Sequence, residues 1–183
     1  MSTISTLEAA LLGLLTEKPM HPYEIEKTVV DRDMRSWTGI SMSSIYKVLG
    51  KLEIKHLVDV HVELTESNVA KKVYIITERG RKEVREKVAE ITSEVENSIC
   101  QVDIGLHNLH LLTREEVESA FLGYIRSIDQ LLQCYRELEQ YLNGIECPVH
   151  RLALAKRRGF LLKAEREWAI SFLEEYRGLQ SPG

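Results

Sequence analysis

Several features that would place this 183-residue chain at once are missing from it. Cysteine is scarce. Cys100, Cys134 and Cys147 are odd in number and too scattered for a disulfide framework or the paired spacing of a zinc site, so buried reduced thiols are expected. No run of about 18 apolar residues occurs, and the amino terminus has no basic stretch leading into a cleavable apolar segment. Neither a membrane span nor a signal peptide is expected, and a cytoplasmic location is. There is also no excess of positive charge: the formal net charge is −4, with 10 Lys+Arg against 11 Asp+Glu in residues 1–80. Any nucleic-acid role therefore needs a local basic surface.

Catalytic constellations are missing too. The chain has no Gly-rich phosphate loop, nucleophile–base set or spaced metal cluster, so no enzyme and no cofactor are expected. His107 and His110 lie three apart with Asp103 one turn earlier, but no second carboxylate or cysteine completes a set, and Gly105 marks a joint. No metal is expected there.

What is present is ample hydrophobic content, 44%, in a clear order of patterns. Ser5 with Glu8 three positions on forms a capping box, after which Leu7, Ala10, Leu11 and Leu14 repeat on one helical face. Pro22 suits a second helix's first turn, with Ile25 and Val29 buried and the helix fading over 33–38. Ser41 caps a third, with Ile45, Val48, Leu49 and Leu52 as its apolar stripe. Val58, Val60, Val62 and Leu64 then alternate with Asp59, His61 and Glu63, and "KKVYIIT" returns, predicting a hairpin with Ser67 and Asn68 near its tip.

From Glu78 the pattern is helical. Val84, Val88, Ile91 and Val95 mark one helix over about 78–100, interrupted by "CQVDIGLHNLHLLT". A capping box at Thr113 and Glu116 opens a helix of about 114–143 whose Val117, Phe121, Tyr124, Ile128, Leu131, Tyr135, Leu138 and Leu142 make a heptad seam. A last helix, about 149–178, carries Leu152, Ala155, Gly159, Leu162, Arg166, Ala169, Leu173 and Tyr176 in the same rhythm. These two should pack antiparallel.

Leu122, Ile125 and Leu132 flank the seam and widen the apolar stripe beyond what one neighbour covers, so a homodimer is expected, with a self-contained helical bundle of broad core as the alternative. Its interface is assigned to Val117, Phe121, Tyr124, Ile128, Leu131, Tyr135, Leu162, Arg166 and Leu173. Arg166, a charge at a seam position, needs a partner and reads as a dimer-specificity residue.

The helix opening at Ser41 raises the question of function. Advancing 100° per residue, Ser43, Lys47, Gly50 and Ile54 point away from its core, with Ser44, Tyr46 and Lys51 on the flanks. Hydroxyls, a phenol and lysines without an acid until Glu53 suit a DNA groove, where hydroxyls bond phosphates or base edges and lysine neutralises phosphate. Lys71 and Lys72, just past the hairpin tip, stand where a winged helix-turn-helix lays its wing on the backbone.

"TLEAALLGLL", "PYEI", "SSIYKVLGKLE", the "LV" entering the wing and "KKVYIITERGR" leaving it resemble, in order and spacing, the PadR family of bacterial transcriptional regulators. The matching stretch runs from Thr6 to Arg81. The rest is similar in plan to the longer, AphA-like subgroup, whose final helix also has basic residues before a tryptophan, here "AKRRGFLLKAEREW". The resemblance implies a mainly α protein with a small β-hairpin: a winged-helix DNA-binding domain over 1–80 and a helical dimerisation domain over 81–183. It maps Tyr23, Ser44, Tyr46, Lys47, Lys71 and Lys72 onto the DNA-contacting positions. Three departures stand out: Pro22 and His56, where the family usually has glycine, and Ala70, Lys71 and Lys72, which replace the usual glycine and arginine near the wing tip; His56 must accept whatever backbone geometry glycine supplies there.

The function expected is a dimeric regulator acting on double-stranded DNA at a pseudo-palindromic operator, most simply a repressor by occlusion. In it Ser43, Ser44, Tyr46 and Lys47 reach bases or adjacent phosphates, and Lys51, Lys71 and Lys72 set affinity. Trp37 and Trp168 are candidates to line a pocket for a small aromatic effector, with ordinary packing as the alternative. The competing reading is a winged-helix module that binds protein instead of DNA. Salt dependence of binding separates the two.

Overall fold

A computed structural model describes residues 3–64, 70–95 and 100–179. The order is α1 (Thr6–Leu15), α2 (Pro22–Asp31), α3 (Arg35–Thr38), α4 (Met42–Ile54), β1 (Val58–Leu64), β2 (Ala70–Ile76), α5 (Glu78–Ser93), α6 (Gln101–His107), a 3-10 turn (Leu109–Leu111), α7 (Arg114–Gly144) and α8 (Val149–Gly178). The expected hairpin tip at Ser67 and Asn68 lies outside the described residues. The chain forms two compact units, Met1–Asn97 and Ser98–Gly183. This shifts the division expected at 80/81. The reason is α5, which packs on α1, buries Val84 in the first unit's core, and accepts bonds from the Thr3 backbone N–H and hydroxyl at Glu83.

In the first unit α1 is central. Its buried residues, Leu11, Leu12, Leu14 and Leu15, face more than one direction, whereas Leu7 and Ala10 of the expected stripe are only partly covered. The capping box forms as read: Glu8 N–H donates to Ser5 Oγ and Ser5 N–H to the Glu8 carboxylate. Glu8 is itself buried and meets Lys55 Nζ at 2.7 Å. Burial pushes its carboxyl upward, but the Lys55 hydrogen bond and charge, with the Ser5 donors, outweigh that and hold it below its ordinary range. The second helix ends at Asp31, and α3 adds a single turn where fading was expected.

α4 buries Ile45, Val48, Leu49 and Leu52, as its periodicity predicts. His56 has φ +55°, the left-handed region that glycine enters freely, so the departure from the family pattern is met by accepting strain in that turn. The hairpin pairs Val58 with Ile76 through to Leu64 with Ala70, antiparallel. Only its base is buried. Val58, Tyr74 and Ile76 face the core, whereas Val62 is 64% exposed, so the predicted inward face fails toward the tip because no described element lies under it. The expected α5 stripe fails likewise past Val84: Val88 and Ile91 are exposed and the helix stops before Val95.

The second unit is built on α7 and α8, packed antiparallel around Val117, Phe121, Ala169 and Leu173, with Leu106 and Leu109 against them. Asn143 and Gly144 continue α7, and the turn is 145–148. His107 ends α6 and His110 lies in the 3-10 turn, so the two histidines do not share a helix face.

Candidate nucleic-acid interface

Three elements of the first unit, α2, α4 and β2, meet on one side. The reading helix α4 starts at an extended Ser41 whose Oγ accepts from Ser44 N–H at 3.2 Å. Ser44 Oγ in turn donates to Ser41 O and accepts from Ser41 N–H, both at 2.7 Å. The hydroxyl of Ser44, expected to reach DNA, is thus committed to the cap. Ser43, Tyr46, Lys47 and Lys51 remain exposed, Tyr46 at 55%. Tyr23 stands beside them at the start of α2, 71% exposed. Such exposed aromatics are costly to leave in water unless something covers them.

Between α2, α4 and β2 lies a cleft of about 510 Å³ lined by His21, Tyr23, Tyr46, Lys71, Lys72 and Tyr74. Every one of the expected residues Tyr23, Tyr46, Lys71 and Lys72 borders it, though they come from three elements. Ser43, Lys47 and Lys51 do not line it and extend the same surface along α4. His21 and Tyr74 are new. Sequence reading passed over His21 because a lone histidine before a helix has no periodicity, and Tyr74 because it looked like ordinary strand content.

The electrostatics favour an anionic visitor at the outer rim. Among the described residues Lys47, Lys51 and Lys71 form no ion pair, and Lys72 Nζ is 3.9 Å from Glu53, both largely exposed, a contact worth little in water. The α4 N-terminus adds its partial positive charge. Burial first, then the charge of Glu53 and the Tyr46 ring hydroxyl, push the Tyr74 phenol above its ordinary range, so it stays a neutral hydroxyl. At the floor, the His21 backbone N–H donates to Glu24 at 2.8 Å and holds that carboxyl low; burial opposes this, and Lys18 assists. This surface can take phosphate oxygens at its lysines and stack or hydrogen-bond through its tyrosines.

The residues assigned to a dimer interface divide in a way the seam did not show. Val117, Phe121, Ile128 and Leu173 are buried within the chain, between α7 and α8, because the seam is used to close this hairpin; Leu162 is partly covered there. Tyr135 is half-buried. Arg166 is paired with Asp129 at 2.7 Å on one side of the hairpin, the side that also carries Arg177–Glu118 at 3.1 Å. The opposite side carries more exposed apolar side chains, alongside Arg158 and Glu165. Taking about 100° per residue, Leu131 and Leu138 lie about 80° from the buried direction of α7, and Leu154, Leu161 and Trp168 about 100° from that of α8. With the helices antiparallel, both offsets fall on the same side. Those five side chains are 37–49% exposed, with Tyr124 Oη donating to Glu165 at 2.8 Å among them.

The tryptophans have separate surroundings. Trp37 borders a groove of about 700 Å³ formed by α1, α3 and α5. Trp168 stacks on Phe172 at 6.0 Å and meets Phe121 edge-on at 6.1 Å. No described helix is long and apolar enough to cross a membrane.

No curated protein sequence matches the chain. Solved structures do. Bacillus subtilis PadR in complex with operator DNA aligns with TM-score 0.80 at 18% identity, covering 94% of this chain and 99% of that one. The same protein with p-coumaric acid aligns with TM-score 0.78 at 17% identity, again over 94% and 99%. The Vibrio cholerae virulence activator AphA aligns with TM-score 0.69 at 19% identity over 96% and 100%. These likenesses fix the fold, a winged helix followed by a helical unit. Residues 11–86, which make up most of the first unit, match the transcriptional regulator PadR-like family.

Proposed function

We propose that the protein binds double-stranded DNA as a homodimer and regulates transcription by occupying a pseudo-palindromic operator. The observation that carries this reading is the convergence of exposed Tyr23, Tyr46, Lys71 and Lys72 on one cleft, continued along α4 by Ser43, Lys47 and Lys51. In this reading α4 enters a major groove with Ser43, Tyr46 and Lys47 toward the bases. Tyr23, Lys51, Lys71 and Lys72 contact flanking phosphates. Ser44 shapes the helix start and reads nothing.

The dimer is supported by the apolar side of the α7–α8 hairpin. Along it the exposed apolar side chains run for about 20 Å, from Leu154 to Trp168 on α8 with Leu131 and Leu138 beside them on α7. Its occupant is a second copy. Operator occlusion makes the protein a repressor, and the groove at Trp37 is where a small aromatic effector, of the class found with Bacillus subtilis PadR, would release it.

Fluorescence anisotropy of genomic fragments around the protein's own gene, across a salt series and with Tyr46→Ala alongside, tests the reading. Tight, salt-sensitive binding that the variant loses is expected. No salt-sensitive binding to any DNA would refute it and turn the surface over to a protein partner.

A further inference from the structure

The wing lysines stand at the end of a two-stranded ribbon that has no element beneath its outer half, and a two-stranded hairpin is marginal on its own. Something must fix its direction. At the base, Met20 serves as a short third strand: Met20 N–H donates to Tyr74 O at 3.1 Å, and Tyr74 N–H to Met20 O at 3.0 Å. Tyr74 therefore turns its backbone groups outward, away from β1. In an antiparallel ladder the orientation alternates, so the groups of Lys72, two residues nearer the tip, also point outward. Among the described residues no backbone strand is present there to meet them, because at Pro22 the chain has turned into α2. The ring of His21 meets them instead, with Nδ1 at 2.9 Å from Lys72 O. A carbonyl can only accept, so Nδ1 carries the hydrogen.

We propose that His21 is the positioning residue of the wing: its Nδ1–H extends the edge ladder one step beyond Met20 and thereby fixes where Lys71 and Lys72 stand. The side chain replaces a backbone donor on an otherwise open strand edge, and Glu24 holds the His21 backbone from behind. The other ring nitrogen, Nε2, lies 3.8 Å from Glu63 on β1, too far for a hydrogen bond. The bond to Lys72 O is thus the tie, and the contact to Glu63 is not. The role of the two lysines rests on the DNA-binding reading above; the tie does not.

The test compares full-length wild type with His21→Ala, His21→Asn and His21→Gln. An Asn amide places an N–H near the Nδ1 position, whereas Gln reaches toward Nε2. Hydrogen–deuterium exchange of the free protein is expected to speed up in peptides spanning 58–63 and 70–76 by about five-fold in the Ala and Gln variants, the loss of one net hydrogen bond. The Asn variant should stay near wild type, with exchange in α1 and α4 unchanged throughout. Wing exchange unaffected by Ala, or Asn behaving like Ala, would overturn the assignment. Anisotropy with operator DNA then separates the two ideas. Weaker binding and a shallower salt slope in Ala and Gln but not Asn support the positioning of the lysines. Altered wing exchange with unchanged DNA binding would keep the tie and refute the lysines' contact with phosphate.

Discussion

Replacing Gly80 with alanine sets two effects of opposite sign against each other. Gly80 lies in the first turn of α5, where its N–H donates to the Thr77 cap at 3.0 Å. On helix propensity alone, Gly→Ala gains about 1 kcal/mol. A Cβ at this position would stand 2.2 Å from Leu57 O and 2.9 Å from Ile76 Cγ1. Leu57 O cannot step aside freely, since it accepts the Thr77 N–H at 3.1 Å and Leu57 is buried. Relief needs roughly 1 Å of backbone movement at a packed junction, and overpacking of this kind costs about 1–3 kcal/mol or somewhat more. The steric term wins at this close an approach, and Gly80→Ala should destabilise the first unit by about 1–2 kcal/mol net. Gly13, in α1, is the control: an added Cβ there meets nothing within 4 Å, so Gly13→Ala should stabilise by up to about 1 kcal/mol. The chain has two tryptophans, one per unit, so urea unfolding in a Trp168→Phe background, followed by Trp37 fluorescence, reports the first unit. Equal or increased stability of Gly80→Ala would refute the close approach of α5 to the turn after α4.

Glu8 is held below its ordinary pKa of 4.5 in the folded state, so it contributes stability that is complete above that value and lost as pH falls through the depressed one. Glu8→Gln should therefore flatten the acid limb of stability against pH and lower stability at neutral pH by about 1–3 kcal/mol, read from urea midpoints. His56→Gly should raise stability by about 1 kcal/mol by removing the left-handed strain, and a loss instead would show that the imidazole contributes more than its backbone costs. Leu131→Asp and Leu161→Asp should each yield monomers in sedimentation experiments, whereas Arg166→Ala, on the ion-paired side, should remain dimeric. Lys71→Ala with Lys72→Ala should weaken all DNA sequences alike and flatten the salt slope by about one to two units, and a loss confined to one operator would remove the wing from the backbone.

Local chemistry was legible from residues close in sequence. The cap at Ser41 and the boxes at Ser5–Glu8 and Thr113–Glu116 form as expected, and α7 and α8 run as read to within a residue. The left-handed turn was visible as a histidine standing where glycine was expected. What the pattern could not supply is the identity of the neighbour. A heptad seam states that a stripe is buried, not by which helix, and Phe121 and Leu173 turn out to meet inside one chain. The valines beyond Val84 repeat helically whether or not α1 extends far enough to cover them. The same limit hid the site's supports: Glu8 and Lys55, His21 and Lys72, and Gly80 and Leu57 are tertiary meetings that no spacing encodes.

The two-sided α7–α8 hairpin has a consequence for how the proposed dimer would depend on the protein's abundance. One flank carries the ion pairs and the other the exposed apolar side chains on which the proposed dimer would form, so folding of the second unit and assembly draw on different faces of the same hairpin. By mass action the share of paired subunits then rises with total concentration. Below the dissociation constant, subunits would stay single, each reaching only half of a two-fold site; above it, occupancy would climb with roughly the square of abundance. Were the proposed dimer to form there, the protein would gauge its own expression, with a threshold set by Leu131, Leu138, Leu154, Leu161 and Trp168.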